Sequence, residues 1–148
     1  MILNPTGRLL PAIASRLRRA RKAKPIWARR VEVACEVESI EGRLQAQPGD
    51  YLCRGIAGEQ WPQKESKLLE KYSPSDQLGV SGWQRFDPKE DSEPVEATRV
   101  DQSFRVISQW GELAGKANDY VVRSKSDPTD IWVVDNAIFE ASYEFVSD

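Results

Sequence analysis

The feature that most constrains this chain is a stretch that repeats at a fixed distance. At an offset of 69 residues, five of thirteen consecutive positions are identical between 42–54 and 111–123, where chance gives about one. The identical pairs are Gly42 and Gly111, Leu44 and Leu113, Asp50 and Asp119, Tyr51 and Tyr120, and Arg54 and Arg123. The repeat predicts two divergent copies of one small structural unit in tandem.

The similarity continues downstream once a two-residue insertion is allowed in the second copy. At an offset of 71, Trp61 aligns with Trp132 and Tyr72 with Tyr143, so the Trp-to-Tyr spacing is eleven in both copies. Upstream, the dipeptide 31–32 aligns with 95–96 if the second copy carries five extra residues. The predicted divisions are a basic amphipathic N-terminal helix or arm (1–25), copy 1 (26–72), a linker (73–93) and copy 2 (94–148).

Local patterns within copy 1 predict the fold class. Apolar residues alternate with polar ones from Val31 to Glu38, which is typical of a half-buried strand. Leu68 and Tyr72 lie four residues apart and predict a short helix over a small sheet. We therefore expect an α+β, mostly β protein with two tandem small sheet or barrel-like repeats plus an N-terminal helix. Two aromatic residues in the linker, Trp83 and Phe86, are expected to be buried.

The charge distribution separates the N-terminal segment from the rest of the chain. Residues 1–31 contain nine basic residues and no acidic one, whereas the other 117 residues contain 12 basic and 23 acidic ones. Leu10, Ile13 and Leu17 form an apolar stripe, and residues 15–22 are predicted to be helical. Basic side chains lie on the other faces of this helix: Arg16, Arg18, Arg19, Arg21 and Lys22.

Two interpretations of the basic segment stay open. The helix could dock its apolar stripe on the acidic body of its own chain or of a neighbouring subunit in a homo-oligomer. Alternatively, residues 8–30 could bind an acidic protein partner or nucleic acid, with Arg16, Arg18, Arg19 and Lys22 as candidate binding residues.

Several classes of chemistry lack the residues they need. The chain has no histidine, only two cysteines and no phosphate-binding glycine motif. The sequence therefore predicts no catalytic site, no metal site and no cofactor. It also has no apolar run long enough for a membrane span, so we expect a cytoplasmic protein without membrane contact.

Four further residues recur in both copies and are candidate binding residues. Asp50 and Asp119 either cap turns or supply carboxylates to a ligand site. Arg54 and Arg123 either pair with strand glutamates such as Glu32 and Glu96 or bind an anion.

One more pair suggests a carbohydrate-processing site. Glu59 precedes Trp61 by two residues, as Asp130 precedes Trp132, which permits a carboxylate beside an aromatic platform. Burial of the tryptophan in the core is the favoured interpretation.

Copy 1 resembles a small domain found in many phage and prophage proteins. The resemblance rests on Pro48-Gly49-Asp50-Tyr51-Leu52, Gly58-Glu59, Trp61-Pro62 and a terminal Leu68 to Tyr72 in place of the family's Phe to Tyr. Copy 2 keeps Asp119-Tyr120, Trp132, Phe139 and Tyr143 but loses the Pro-Gly, Gly-Glu and Trp-Pro pairs. The resemblance implies a phage or bacterial origin and no particular activity.

Three functions follow as expectations. The first is a non-enzymatic binding or accessory protein of phage or prophage type that acts through protein contacts. The second is nucleic-acid binding through the basic segment. The third is a small-ligand sensor or enzyme whose site lies between the two copies, where clefts tend to form.

Overall fold

A computed structural model describes residues 1–147 and confirms a mostly β protein with few helices. The last residue of the predicted second copy lies outside the described residues. None of the helices within 1–147 has the length and apolar character needed to cross a membrane. In chain order the elements are α1 (Pro11–Ala14), β1 (Arg18–Lys22), β2 (Ile26–Arg30), β3 (Cys35–Ser39), β4 (Gly42–Ala46), β5 (Tyr51–Arg54), β6 (Gln60–Gln63), α2 (Glu65–Lys71), β7 (Tyr72–Leu78), β8 (Gln84–Pro88), β9 (Val95–Arg99), β10 (Phe104–Ser108), β11 (Gly111–Gly115), β12 (Tyr120–Ser124), β13 (Ile131–Val134), α3 (Asn136–Ser142) and β14 (Tyr143–Phe145).

The strands form two five-stranded antiparallel sheets and two separate hairpins. One sheet has the order β6-β5-β2-β8-β7 and the other β13-β12-β9-β1-β14. The hairpins are β3–β4 and β10–β11. We call residues 18–78 the first half and residues 84–145 the second half; each contains the same succession of elements.

Strands β1 and β8, the first strands of the two halves, are exchanged between the sheets. In the second-half sheet, Ala20 of β1 lies opposite Val95 of β9 and Phe145 of β14. In the first-half sheet, Phe86 of β8 lies opposite Ile26 of β2 and Pro74 of β7. Each half therefore completes the sheet of the other, and neither sheet consists of one half alone.

The predicted N-terminal helix is wrong over residues 15–22. Only Pro11–Ala14 is helical, and Arg18–Lys22 forms strand β1 instead. An isolated helix of this length is marginal in water, whereas β1 forms backbone hydrogen bonds with a strand on each side. Ala20 is completely buried at the centre of this strand. The division at residues 1–25 therefore cuts off an interior strand rather than an arm.

The predicted linker over 73–93 is also wrong. This segment contains nearly all of β7 and the whole of β8. Its Ser, Pro and Asp content resembles a linker because β7 is an edge strand, where proline and polar residues are tolerated. The expected burial of its two aromatic residues is confirmed, with Trp83 at 9% and Phe86 at 3% exposure.

The strand register corrects the upstream alignment of the two copies. The Val31 N–H donates to the Asp50 carbonyl oxygen at 2.8 Å, and the Val100 N–H donates to the Asp119 carbonyl oxygen at 2.9 Å. Val31 thus corresponds to Val100 and not to Val95. The offset of 69 holds from β2 through β5, and the second half has no five-residue insertion.

The two hairpins meet where the halves face each other. A Cβ atom on Gly42 would lie 2.9 Å from the Glu112 carbonyl oxygen, and one on Gly111 would lie 3.3 Å from the Arg43 carbonyl oxygen. This reciprocal contact is the pattern expected around a two-fold axis. Close approach of the two backbones needs a residue without a side chain at both positions, which explains the matched glycines.

Each sheet buries one face beneath a short helix. In the second half, Phe139 of α3 stacks on Tyr120 and Tyr143, with ring centroids 3.8 and 4.5 Å apart. In the first half, Leu68 of α2 is completely buried in a cluster with Tyr72. Tyr72 ends α2 and begins β7, and Tyr143 ends α3 and begins β14. The backbone N–H of each donates to the carbonyl oxygen four residues earlier. The helix ends thereby fix where these two phenols point.

Candidate functional site

A cleft of about 120 Å³ lies between the two halves. It is lined by β6, β13, the hairpin turns near residues 40 and 109, and the helices α2 and α3. Three of the five tryptophans face it, Trp61, Trp110 and Trp132, and Trp61 and Trp132 occupy equivalent strand positions. The cleft is therefore lined from both sides by equivalent elements of the two halves.

Lysine side chains lie over the aromatic rings of this cleft. The Lys22 Nζ atom is 5.0 Å from the Trp61 ring centroid and 4.8 Å from that of Tyr143. The Lys71 Nζ atom is 4.4 Å from the Trp132 centroid. Each ammonium group is therefore within cation–π distance of an indole ring.

Neither of these two lysines has a counter-ion within the described part of the chain. Among residues 1–147 no carboxylate oxygen lies within 4.0 Å of the Lys22 or Lys71 Nζ atom. Lys71 is 8% exposed, and Lys22 is partly exposed. Burial lowers the pKa of each from 10.5 to about 8; the nearby charge of Lys22 lowers the pKa of Lys71 further. Cys53 and Glu59 oppose the shift at Lys22, and Tyr143 and Asp130 oppose it at Lys71.

Two phenols at the cleft also lack partners. The hydroxyl groups of Tyr72 and Tyr143 are buried and, within the described residues, form no hydrogen bond. Burial raises the pKa of Tyr72 well above 10 and that of Tyr143 to about 12. The Trp132 indole opposes the rise at Tyr143 without reaching hydrogen-bond geometry. Buried polar groups are nearly always satisfied, so two unsatisfied hydroxyls at one cleft need an explanation.

The lysines that line the cleft all belong to the first half, so the charge of the cleft is asymmetric. The equivalents of Lys64, Lys67 and Lys71 on α3 or its N-cap are Asp135, Ile138 and Ser142. The equivalent of Lys22 on β8 is Pro88, judged by the tyrosine that each lies opposite. The two halves therefore share a framework but differ in charge at the cleft.

Two of the acidic side chains at the cleft, Glu59 and Asp130, have partners. The Asp130 carboxylate is 3.6 Å from the Lys67 Nζ atom, and the Glu59 carboxylate accepts the Ala57 N–H at 3.0 Å. Glu41 is partly exposed, and its pKa is raised to about 7, mainly by burial and then by the nearby charge of Asp119. Because Glu59 and Asp130 are held in a turn and an ion pair, this geometry gives no support to a glycosidase-like carboxylate pair.

The recurrent candidates from the sequence lie outside the cleft. Asp50 and Asp119 are buried turn residues, whose carboxylates accept the Gln47 and Lys116 N–H at 2.8 and 2.9 Å. The Arg123 guanidinium pairs with Glu96 at 3.0 Å, which is the predicted pairing with a strand glutamate. Arg54 lies 4.5 Å from the Trp83 ring centroid rather than beside Glu32.

The four basic candidates of the N-terminal segment have different surroundings in the structure. Arg16 donates to the Arg99 carbonyl oxygen, and the Arg18 guanidinium lies 4.0 Å from the Phe145 ring centroid. Arg19 accepts the Val146 N–H through its backbone oxygen. Only Lys22 faces the cleft. Lys71 was not predicted as a site residue, although Lys64, Lys67 and Lys71 have the spacing of one helix face and have no lysine equivalents in the second half.

No potential metal site made of three or more acidic or cysteine side chains occurs in the part of the chain that the structure describes. Comparison with known proteins finds no matching family model, no matching curated protein and no matching solved structure.

The buried lysines make stability depend on pH. From about pH 7.5 to about pH 9 we expect the free energy of unfolding to rise by about 1 kcal/mol for each of Lys22 and Lys71. The unfolded chain keeps both lysines protonated in this window, whereas the folded chain loses their protons near pH 8, so the unfolded state binds more protons. Urea denaturation at several pH values measures the rise. Above this window, the raised pKa values of Cys53 and the two tyrosines act in the opposite direction.

A matched pair of variants tests the source of this pH dependence. Lys71→Met should remove about half of the rise, whereas Lys125→Met, at an exposed position, should leave it intact. An unchanged slope in Lys71→Met would contradict the assignment.

Proposed function

We propose that the protein is a non-enzymatic binding protein whose ligand is a small molecule held in the cleft between the two halves. The observation that supports this most directly is the presence at one cleft of two buried hydroxyls, those of Tyr72 and Tyr143, that form no hydrogen bond within the described residues. Leaving a buried donor unsatisfied costs about 1–3 kcal/mol. A ligand that accepts hydrogen bonds from these groups would recover that free energy on binding.

The proposal includes two copies of one ancestral unit. The same strand order and equivalent registers in the two sheets support it, together with the sequence identities at the constant offset. A cleft where two such copies meet is a common place for a ligand site. Divergence at Lys64, Lys67 and Lys71 is then the change that made one side of the cleft cationic.

The placement of the basic segment favours the cleft over an interface for nucleic acid or an acidic protein. Residues 18–22 are part of the sheet, and the Arg21 side chain donates to the Ser92 carbonyl oxygen at 3.2 Å. The Arg18 guanidinium lies over the Phe145 ring, and Lys22 is the residue of this strand that lines the cleft.

Indole N–H signals in ¹⁵N NMR spectra test the proposal with any compound that enters the cleft. A chemically diverse fragment library, including neutral, cationic and anionic compounds, is titrated into the protein. We expect hits to shift the signals of Trp61, Trp110 and Trp132. Trp27 and Trp83 lie in a different part of the structure and serve as internal controls.

The titration has outcomes that support the proposal and outcomes that contradict it. Hits that shift only the three cleft indoles support the proposal. A library that yields no hit, or hits confined to Trp27 and Trp83, would overturn it.

A further inference from the structure

The unpartnered groups of the cleft share one chemical property, which identifies the class of ligand. An ammonium group can only donate hydrogen bonds, and a phenol with a raised pKa stays protonated and able to donate. The cleft therefore presents hydrogen-bond donors and two ammonium groups that lack a counter-ion among residues 1–147: Lys22, Lys71, Tyr72 and Tyr143. The complementary ligand accepts hydrogen bonds and carries negative charge.

The remaining charges at the cleft limit how negative the ligand can be. Four acidic residues also line it, and so do three further lysines: Glu41, Glu59, Asp130, Asp135, Lys24, Lys64 and Lys67. The four carboxylates offset much of the lysine charge, and a doubly charged phosphate or phosphonate costs more free energy to remove from water than a singly charged group. A carboxylate is singly charged, and its two oxygens can accept hydrogen bonds from several donors at once.

The walls of the cleft determine the rest of the ligand. The indole rings of Trp61 and Trp132 line it together with apolar side chains such as Pro62, Ile131 and Val133. Its volume of about 120 Å³ is similar to that of protein cavities that hold a single benzene ring. Aromatic rings favour flat partners that stack on them or meet them edge to face.

We propose that the cleft binds a planar organic carboxylate with about one aromatic ring, its carboxylate between Lys22 and Lys71 and its ring between Trp61 and Trp132. This inference rests on the proposed function and names the ligand class for the same cleft. The Tyr72 and Tyr143 hydroxyls donate hydrogen bonds to the carboxylate oxygens. Binding supplies the counter-ion that the two lysines lack.

The ligand class is tested with benzoate and three other probes, each of which differs from benzoate in one property. Benzoate is compared with benzamide, which is neutral, cyclohexanecarboxylate, which is not planar, and phenylphosphonate, which carries more charge. Isothermal titration calorimetry at neutral pH gives the affinities, and the indole N–H signals locate each probe. We expect benzoate to bind in the cleft at least about tenfold more tightly than benzamide, and more tightly than the other two.

Lysine variants test where the carboxylate binds. Lys71→Met should weaken benzoate binding at least about tenfold, whereas Lys125→Met, which removes an exposed lysine outside the cleft, should leave it unchanged. Lys22→Met provides a second, independent variant with the same expected loss. Thermal melting of each variant shows that it is folded, and removal of a desolvated charge should not lower the melting temperature.

Each result either supports or overturns the inference. Benzamide binding as tightly as benzoate, or equal weakening in Lys71→Met and Lys125→Met, would overturn it while leaving a ligand cleft in place. Tighter binding of phenylphosphonate would replace the carboxylate with a more highly charged anion. If no compound shifts the three cleft indoles, the proposed function fails as well.

Discussion

Deletion of residues 1–25 is expected to abolish cooperative folding rather than to release a surface arm. The deletion removes β1 from the interior of the second-half sheet, where it pairs with both β9 and β14. It also removes Leu3, Leu9 and Ile13, which are buried in the core cluster around Val106. Burial of each large apolar side chain contributes about 1.5–3 kcal/mol, so the loss approaches the whole stability of about 5–15 kcal/mol of a typical domain. Thermal melting followed by circular dichroism measures it.

Two comparisons make this deletion informative. A variant with Arg8→Ser and Lys24→Ser removes exposed positive charge while keeping β1, and it should melt like the parent protein. Addition of a synthetic 1–25 peptide to the deleted chain should restore part of the cooperative transition. A cooperative melt of the deleted chain alone, at the parent temperature, would refute the role assigned to β1.

Asp119→Ala is expected to lower the free energy of unfolding by about 3 kcal/mol. The Asp119 carboxylate is 2% exposed and accepts two backbone N–H groups, from Lys116 at 2.9 Å and from Asn136 at 3.0 Å. It thus joins the turn before β12 to the first residue of α3. Alanine leaves both N–H groups without this acceptor, and the loss of two partly buried hydrogen bonds to a charged group is the main cost. Urea denaturation provides the measurement.

Asp50 supplies the matched control for this substitution. Its carboxylate accepts the Gln47 N–H at 2.8 Å and pairs with Lys64 at 3.3 Å, in the equivalent turn of the first half. Asp50 reaches the N-cap of α2 only through the Lys64 side chain, and no described hydrogen bond joins it to a backbone N–H of that helix. Asp50→Ala should therefore cost less than Asp119→Ala. Equal losses in the two variants would show that the Asn136 bond adds nothing to stability.

The sequence predicted the elements whose signals are local. Residues 42–54 and 111–123 form corresponding strands and turns, as their identities indicate. The Arg123 ion pair with Glu96 follows from strand alternation together with opposite charge. Turn aspartates at 50 and 119 follow from the preference of aspartate for hydrogen bonds to its own backbone.

The missed features depend on partners that are distant in sequence. The helical spacing of Leu10, Ile13 and Leu17 is a local pattern, and it contains no information about β9 and β14, which hold residues 18–22 in a strand. The segment 73–93 resembled a linker for a related reason, since an edge strand resembles a loop in composition. Partners that lie far along the chain override weak local preferences.

The site was only partly visible in the sequence. Trp61, Tyr72 and their equivalents stood out because they recur, but the lysines that give the cleft its charge occur in one half only. A search for what repeats finds the framework. The residues that distinguish the two halves are found only by asking where the repeat has diverged on one face of an element, as at Lys64, Lys67 and Lys71.

The exchange of first strands has a consequence for how the chain folds during synthesis. β1 leaves the ribosome before either of its neighbours, because β9 begins at residue 95 and β14 at residue 143. Contacts between residues so far apart in sequence slow folding, because a long loop must close before they form. Until then β1 exposes two unpaired edges beside a partly built sheet, which is the kind of intermediate that aggregates. Residues 1–31 carry nine basic and no acidic side chains, so these segments of two nascent chains repel each other, which opposes their pairing through β1.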